Sequence, residues 1–389
     1  MSTINFVGVI GAGAMGSGIA QVGASAGENV FLYDADSSSL QKAKTNLQNS
    51  LVKLEEKEKI KPGDAALFLS RIHFVERLAE FANCNLIIEA IIEDLTIKQQ
   101  VFTTLENIVD ANCILATNTS SLSIASIASA CKHNSRVVGI HFFNPAPLMP
   151  LVEIIPSITT SNATTISAKA RIDSWKKVTV LAKDTPGFIV NRVARSYYGE
   201  SIRMYEEGIA SIATIDWALK EFGVFRMGPF ELMDFIGNDI NYKVTESVWE
   251  QFFYDPRFKP SLTQKRLYEA KLFGKKTGKG YYDYNLIAQF PEPEKDSLIG
   301  KQIFDRVIAM LINEAIDALY LKVASRDDLD LAMTKGVNYP KGLLKWADDI
   351  GLANVLNTLQ SLYDLYAEDR YRPCVLLKQM VKEKKQFYL

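Results

Sequence analysis

Short apolar runs alternate with amphipathic helical stretches along the first half of the chain. Continuous apolar strands separated by helices are typical of a buried, mostly parallel, doubly wound α/β sheet. The sequence therefore predicts an α/β domain at the start of the chain. The predicted strands are Phe6–Ile10, Val30–Tyr33, Ile72–Val75, Leu86–Glu89, Cys113–Ala116, Val137–His141, Val152–Ile155 and Val178–Leu181.

The pattern changes after Pro186 and Gly187, where strand-like runs stop and helical periodicity takes over. The helical part contains a repeat at a shift of 114 residues (305 − 191). The matching pairs include Asn191-Arg192 with Asp305-Arg306, Asp216 with Asp330, and Asp234 with Asp348. We therefore expect an all-α domain in two tandem copies. The predicted boundaries are 1–186 for the α/β domain, 187–284 for the first helical copy, 285–300 for a linker and 301–389 for the second copy.

Composition and charge disfavour nucleic acid, a membrane span and a zinc site. The 389 residues are 48% hydrophobic and 23% charged, with a formal net charge of −1 and no basic block, which disfavours nucleic acid as a partner. No apolar run reaches the roughly 18 residues of a transmembrane helix, and no leader peptide is expected before the first strand. Four scattered cysteines indicate a reduced, cytoplasmic protein, and only three histidines disfavour a zinc site.

A glycine-rich turn follows the first predicted strand. Residues 7–20 read VGVIGAGAMGSGIA, in which Gly11, Gly13 and Gly16 match the G-x-G-x-x-G pattern ahead of a predicted helix. Gly11 permits the tight turn, Gly13 lets the backbone approach a pyrophosphate, and Gly16 lets the helix pack closely on the strand. We therefore predict a Rossmann-like dinucleotide site that also includes Ala14 and Met15. The alternative is a strand–turn–helix whose glycines serve packing alone.

An acidic residue occupies the position at which the dinucleotide-binding pattern requires a carboxylate. Asp34 directly follows the second predicted strand, about 20 residues beyond the glycines, where a carboxylate binds the ribose 2′-hydroxyl. No arginine follows at once to take a 2′-phosphate. The sequence therefore favours NAD over NADP as the cofactor.

His141 and Glu153 flank a proline-rich loop. His141 ends the sixth predicted strand, and ligands of doubly wound sheets bind at the carboxyl ends of strands. Pro145, Pro147 and Pro150 stiffen the loop, so that the chain can reverse and return Glu153 to the histidine. A carboxylate on one imidazole nitrogen fixes the tautomer and leaves the other nitrogen as a base near neutral pH. The alternative is a hydrogen-bonded core histidine.

Five segments together resemble the 3-hydroxyacyl-CoA dehydrogenase family. They are GAGAMGSGIAQ at 11–21, EAIIE at 89–93, NTSSL at 118–122, HFFNPAPLMPLVEI at 141–154 and DTPGFIVNR at 184–192. They occur in the family's order and belong to a match that spans residues 1 to about 284. The resemblance implies a Rossmann domain followed by a helical domain, with an acyl-CoA bound between them.

The resemblance also implies roles for individual residues. His141 is similar to the family's base, which takes the 3-hydroxyl proton, and Glu153 to its orienting carboxylate. Ser120 resembles a residue that binds the substrate oxygens, and Asn191 one that helps to hold the acyl group. The residues that match cofactor-binding positions are Asp34, Glu93, Lys98 and Asn118. Outside the family context, several of these residues could serve structure alone, as a turn, a helix cap or a solvated helix start.

These observations predict NAD-dependent oxidation of an (S)-3-hydroxyacyl-CoA to the 3-oxoacyl-CoA, in fatty-acid or aromatic-acid catabolism. The acyl chain stays open among short-chain, medium-chain and dicarboxylyl thioesters. Two competing hypotheses are a related dehydrogenase that acts on a free β-hydroxyacid, and a non-catalytic NAD-binding structural protein.

The second helical copy departs from the first at a candidate position. Asp305 replaces Asn191, and no Asp-Thr-Pro-Gly segment precedes it. We therefore interpret the second copy as structural. In short members of the family two chains pair through their helical domains, so the second copy could supply that surface within one chain. The alternatives are thus a monomer with an intrachain pseudo-dimer of helical domains, or a homodimer.

Overall fold

All eight predicted strands are present, and they form one sheet. The structure is a computed structural model that describes residues 6–287 and 290–388. The strands are β1 Phe6–Ile10, β2 Asn29–Tyr33, β3 Ile72–Val75, β4 Cys84–Glu89, β5 Ile114–Thr117, β6 Val137–Phe142, β7 Leu151–Pro156 and β8 Val178–Leu181. Their order across the sheet is β3-β2-β1-β4-β5-β6-β7-β8, and each neighbouring pair is parallel except β6 with β7. The predicted mostly parallel sheet is therefore confirmed.

Helices join these strands and bury them. In this first part of the chain the helices are α1 Ala14–Ser25, α2 Ser37–Glu56, α3 Asp64–Ser70, α4 Leu95–Glu106, α5 Ile124–Ala128 and α6 Asn162–Ser174. Every residue of β6 is buried, as expected for a strand in the middle of a sheet that is covered on both faces. Val9, Ile88 and Ile140 of the strands pack with Ile19 of α1 and Ile172 of α6 in one apolar core.

The rest of the chain is helical. By its contacts the chain divides into two units, Met1–Thr185 and Pro186–Leu389. The helices of the second unit are α7 Val190–Val193, α8 Arg195–Glu206, α9 Ile212–Gly223, α10 Pro229–Ile236, α11 Asn238–Gln251, α12 Leu262–Glu269, α13 Ser297–Tyr320, α14 Arg326–Gly336, α15 Leu343–Ile350, α16 Leu352–Tyr366 and α17 Val375–Glu383. None of the helices in the described ranges is long and apolar enough to cross a membrane.

The start of α13 corrects one predicted boundary. The helix begins at Ser297, so the last residues of the predicted 285–300 linker are helical. Asp296 caps the helix, since its carboxylate accepts bonds from the backbone N–H groups of Leu298 at 2.7 Å and Ile299 at 3.0 Å. The prediction followed the Pro-Glu pattern and overlooked this cap. Residues 288 and 289 of the linker lie outside the described residues.

The two helical copies share matching aspartates, which are buried in the first copy and half-buried in the second. In each copy one aspartate accepts bonds from two backbone N–H groups in the first turn of a helix and from a tyrosine hydroxyl. Asp216 accepts from Phe230 N at 2.9 Å, Glu231 N at 3.0 Å and Tyr282 Oη at 2.8 Å, and Asp330 accepts from Leu344 N at 2.8 Å, Lys345 N at 3.0 Å and Tyr388 Oη at 3.0 Å. The sequence repeat therefore corresponds to a repeated set of contacts.

Reciprocal ion pairs join the two copies. Arg192 of the first copy bonds Glu314 of the second, with Nε and Oε1 2.6 Å apart. Arg306 bonds Glu200 in the opposite direction, with Nε and Oε2 2.9 Å apart. Arg306 and Glu314 occupy the positions of Arg192 and Glu200 in the repeat, so each pair is the counterpart of the other. All four side chains are buried, and the two copies pack as a symmetric pair inside one chain.

Candidate active site

The glycine-rich turn has no room for side chains at two of its glycines. Gly11 has φ of +99°, and a Cβ there would lie 2.5 Å from the carbonyl oxygen of Ala90. A Cβ on Gly16 would lie 1.7 Å from the carbonyl oxygen of Gly11. Both contacts are far inside van der Waals distance. The close packing of β1, the turn and α1 therefore depends on glycine at these positions.

The third glycine faces open space at the start of α1. Gly13 is the N-cap residue, no side chain caps this helix end, and a Cβ on Gly13 would meet nothing within 4 Å. A cavity of about 440 Å³ opens here, lined by Ala12, Gly13, Ala14, Ser17 and further residues of α1 and α2. Uncapped N–H groups and the positive end of a helix dipole suit a pyrophosphate. The site therefore fits the phosphates of a dinucleotide.

Asp34 lies at the mouth of this turn. It follows β2 directly, and its Oδ2 accepts a bond from the backbone N–H of Ala12 at 2.7 Å. Its Oδ1 accepts from the backbone N–H of Asp36 at 2.9 Å. A carboxylate has about four acceptor sites, so it can still bind a ribose hydroxyl. The bond to Ala12, which sequence reasoning missed, fixes the carboxylate next to the phosphate turn.

His141 and Glu153 face each other across the one antiparallel pair in the sheet. They are directly paired in the register of β6 and β7. His141 Nδ1 lies 2.7 Å from Glu153 Oε2, and both side chains are buried. Next to them, Asn118 Oδ1 accepts a bond from the backbone N–H of Phe142 at 2.8 Å, which connects the end of β5 to the end of β6. The arrangement fixes the imidazole by a carboxylate at the carboxyl end of a sheet strand.

Lys177 holds the loop between these two residues, and sequence reasoning missed it. Its Nζ donates to the carbonyl oxygens of Ala146 at 2.5 Å and Met149 at 2.8 Å. The same loop packs on α1, since a Cβ on Gly18 would lie 3.1 Å from Pro147. Burial lowers the pKa of Lys177 to about 8. The only hint of this role in the sequence is that a lysine directly precedes the apolar strand β8.

Glu93 organises the loop that carries Ser120. Its Oε1 accepts bonds from the Thr119 hydroxyl at 2.5 Å, the Ser120 backbone N–H at 3.0 Å and the Ser121 hydroxyl at 3.0 Å. Burial alone would raise the pKa of Glu93, but the charge of Lys98 and these bonds outweigh it and lower that pKa. Glu93 is therefore an ionised anchor for this loop, and its predicted contact with the cofactor stays a prediction.

Lys98 is buried and bound by two carboxylates. Its Nζ lies 2.6 Å from Glu89 Oε1 and 3.3 Å from Glu93 Oε2, and its side chain is 1% exposed. Glu89 also accepts a bond from the Thr117 hydroxyl at 2.8 Å. Sequence reasoning quoted Glu89 in a family segment without giving it a role. The ion pair joins the ends of β4 and β5 to the start of α4, and cofactor contact by Lys98 stays a prediction.

The remaining candidate lies in the other unit. Asn191 is half-buried on α7, at the start of the helical unit. The other site residues predicted from the sequence belong to the sheet unit. Most lie in the glycine-rich turn or at the carboxyl ends of strands, whereas Glu153 lies near the start of β7 and Lys98 lies on α4. In the second helical copy, Asp305 stands at the position of Asn191 and pairs with Lys301.

Two family models cover nearly the whole chain. The NAD binding domain of 3-hydroxyacyl-CoA dehydrogenase matches residues 6–185. The C-terminal domain of 3-hydroxyacyl-CoA dehydrogenase matches residues 187–284 and, a second time, residues 303–386. The chain belongs to the 3-hydroxyacyl-CoA dehydrogenase family. The double match confirms the tandem helical domain, and the first match identifies the cofactor as NAD.

Known relatives agree with this assignment. The 3-hydroxyadipyl-CoA dehydrogenase of Escherichia coli K12 is 36% identical over 97% of this chain and 98% of its own length. The mitochondrial hydroxyacyl-coenzyme A dehydrogenase of Sus scrofa is 41% identical over 72% of this chain and 91% of its own length. The crystal structure of 3-hydroxybutyryl-CoA dehydrogenase from Escherichia coli K12 has a TM-score of 0.93 at 34% identity and covers 98% of both chains. The protein is thus an NAD-dependent oxidoreductase of this family.

Proposed function

We propose that this protein oxidises an (S)-3-hydroxyacyl-CoA to the 3-oxoacyl-CoA, with His141 as the general base and Glu153 as the carboxylate that orients it. The 2.7 Å contact between His141 Nδ1 and Glu153 Oε2 is the observation that carries this proposal. The pair lies at the carboxyl end of β6, the edge at which doubly wound folds bind their ligands.

The proposed chemistry needs one proton acceptor and one hydride acceptor. Bound NAD would supply the hydride acceptor for C3. His141 takes the proton of the 3-hydroxyl group, and the C3–O bond becomes a carbonyl. Because the carboxylate engages Nδ1, proton transfer falls to Nε2, and Glu153 stabilises the imidazolium that forms. General-base catalysis of this kind contributes about 10²–10⁴-fold to the rate.

The other candidates position the substrate and the cofactor in this proposal. Ser120 binds the substrate oxygens, and within the described residues its hydroxyl makes no hydrogen bond that would compete. Asn191 helps to hold the acyl group. Gly13 binds the pyrophosphate of NAD, which the uncapped start of α1 supports. Asp34 binds the ribose, which its carboxylate, fixed by the Ala12 N–H, supports.

The names of two relatives support the proposed class of acyl group and the proposed pathway. One relative acts on 3-hydroxyadipyl-CoA by its name, and another is a subunit of a fatty acid oxidation complex from Acinetobacter baumannii, 32% identical over 99% of this chain. We place this protein in the catabolism of fatty or aromatic acids in the cytoplasm. The reciprocal ion pairs between the helical copies support a chain that supplies its own pairing surface and acts as a monomer.

A substrate series tests the proposal directly. NADH formation is measured with 3-hydroxyacyl-CoA thioesters of increasing chain length, with a dicarboxylyl thioester, and with the matching free 3-hydroxy acids. We expect turnover with at least one thioester and none with the free acids. Equal turnover of the free acids would favour the free-acid dehydrogenase. Binding of NADH without turnover of any compound would favour a non-catalytic protein.

A further inference from the structure

Arg195 is a buried cation that has no carboxylate partner. The residue begins α8, is 7% exposed, and forms no ion pair with any residue in the described part of the chain. Its hydrogen bond runs from Nη1 to the Thr245 hydroxyl at 3.2 Å, and its Nε is buried with no acceptor. Arginine stays protonated in proteins, and an uncompensated buried charge is strongly unfavourable. The Tyr198 ring lies 4.9 Å from Arg195 Cζ, but its π face carries only a partial negative charge, so no full negative charge among the described residues balances the guanidinium.

A small cavity lies against this side chain. It measures about 20 Å³, which is room for about one water-sized occupant, and Thr245 and Gln264 also line it. Four cationic side chains and one carboxylate contribute to its walls. The cations are Arg195, Arg203, Arg257 and Lys259, and the carboxylate is Glu200. Arg257 is already paired with Asp255, Glu314 and Asp317, and Arg203 with Glu200, whereas Arg195 has no such pair among the described residues. Glu200 is already engaged by Arg306 at 2.9 Å and by the Tyr371 hydroxyl at 3.0 Å.

The second helical copy shows that the scaffold does not need these polar side chains. Arg195 and Thr245 correspond to Ala309 and Leu359 at the shift of 114. Beyond residue 257 the shift is 113, since the RFKP segment at 257–260 matches RYRP at 370–373, and Gln264 therefore corresponds to Leu377. Ala309 is 2% exposed, and both leucines are fully buried. An apolar set therefore fills the same place in the duplicate. Since apolar side chains can fill this place, packing does not require Arg195, Thr245 and Gln264 in the first copy. Their polar groups therefore indicate a bound ligand.

We propose that the Arg195 cavity binds one small monovalent anion of the halide class. The guanidinium supplies the positive charge, and its Nε–H donates the hydrogen bond that no protein atom accepts. A water molecule would accept that bond but would leave the charge uncompensated. The size of the cavity favours a halide over larger anions. The inference rests on residues of the helical unit alone and does not depend on the proposed function.

Anomalous diffraction from bromide tests the site in the intact protein. Crystals of the full chain are soaked in sodium bromide, and an anomalous peak is expected in contact with Arg195 Nε. A peak elsewhere with only water at Arg195 would overturn the proposal. The same soak of Arg195→Met is expected to show no peak at this position.

Thermal unfolding gives an independent test in solution. The Tm of the wild type is measured in chloride and in gluconate at equal ionic strength, because gluconate is too large for the cavity. We expect chloride to raise the Tm by about a few degrees through binding to the folded state. Arg195→Met should lose this response. Arg266→Met, which removes a mainly exposed arginine paired with Glu269, should keep it.

A second variant covers the case in which Arg195→Met does not fold. The triple variant Arg195→Ala, Thr245→Leu, Gln264→Leu carries the residues of the second copy and is expected to fold and to show no chloride response. A chloride response in either variant equal to that of the wild type would overturn the proposal.

Discussion

The two helical copies share their scaffold and differ in the side chains that can bind a ligand. In both, an aspartate accepts bonds from two backbone amides and a tyrosine, and both contribute one arginine and one glutamate to the ion pairs between them. Asn191 and Arg195 in the first copy become Asp305 and Ala309 in the second. Duplication thus separates two kinds of residue. Those retained in both copies support the fold, and those present in one copy are candidates for function.

The largest expected effect tests whether the chain has one reaction centre. One dinucleotide unit accompanies two helical copies, so all turnover should depend on one histidine. His141→Gln should lower kcat by about 10²–10⁴-fold, because glutamine cannot take up the proton. NADH formation measures the loss, and NADH fluorescence should show unchanged cofactor binding. His133→Gln, at an exposed histidine, is the control and should keep full activity. Wild-type turnover in His141→Gln would contradict the assignment.

The next effect tests the shared scaffold. Asp216→Ala and Asp330→Ala each leave two backbone amides and a tyrosine hydroxyl without an acceptor, which costs about 1–3 kcal/mol for each buried group left unsatisfied. Both variants should lower the Tm by several degrees, and Asp216→Ala should lower it more, because Asp216 is 1% exposed. Thermal unfolding followed by circular dichroism measures this. If only one of the two variants loses stability, the copies do not share a scaffold.

A smaller effect tests the difference between the copies. Asn191→Ala should lower kcat/KM by about 2- to 13-fold, which corresponds to one neutral hydrogen bond of about 0.5–1.5 kcal/mol. Asp305→Ala, at the matching position, should leave kcat/KM unchanged. Initial rates with one thioester at varied concentration give both values. An equal loss in the two variants would remove the functional distinction between the copies.

The smallest effect concerns Lys177, for which the comparison of the copies offers no counterpart. Its pKa of about 8 in the folded protein lies below the ordinary lysine value of 10.5. Between these pH values the unfolded chain binds more protons than the folded one, so the free energy of unfolding rises with pH. The Tm of the wild type relative to Lys177→Met should therefore increase from pH 8 towards pH 10. The exposed neighbour in Lys176→Met should show no such trend.

Lys177 also has an expected kinetic readout. If its ammonium holds the loop of residues 143–150, Lys177→Met should raise the KM for NAD more than it lowers kcat, because Pro147 of that loop lines the cavity at the glycine-rich turn. A change in stability without any change in KM would limit Lys177 to a structural role.

Much of this architecture could be predicted from local patterns. The apolar runs marked all eight strands, since a strand buried on both faces has to be apolar along its length. The glycines marked the turn because a Cβ on Gly11 or Gly16 would collide with the backbone. The repeat marked the duplicated helical domain because two copies of one scaffold retain the aspartates that bind its backbone amides. Each signal lies within a short segment or recurs at a fixed shift.

Contacts between distant segments were decided by the tertiary structure alone. Lys98 looked like a solvated residue or a cofactor contact and is buried on Glu89, and Glu93 anchors the Ser120 loop. Lys177 reaches two carbonyl oxygens about 30 residues away in sequence. Such partners depend on which strand ends meet at one sheet edge, and that order is a property of the folded sheet. The sequence by itself therefore determined the elements, the dinucleotide turn and the chemical groups, while packing decided which charge faces which partner.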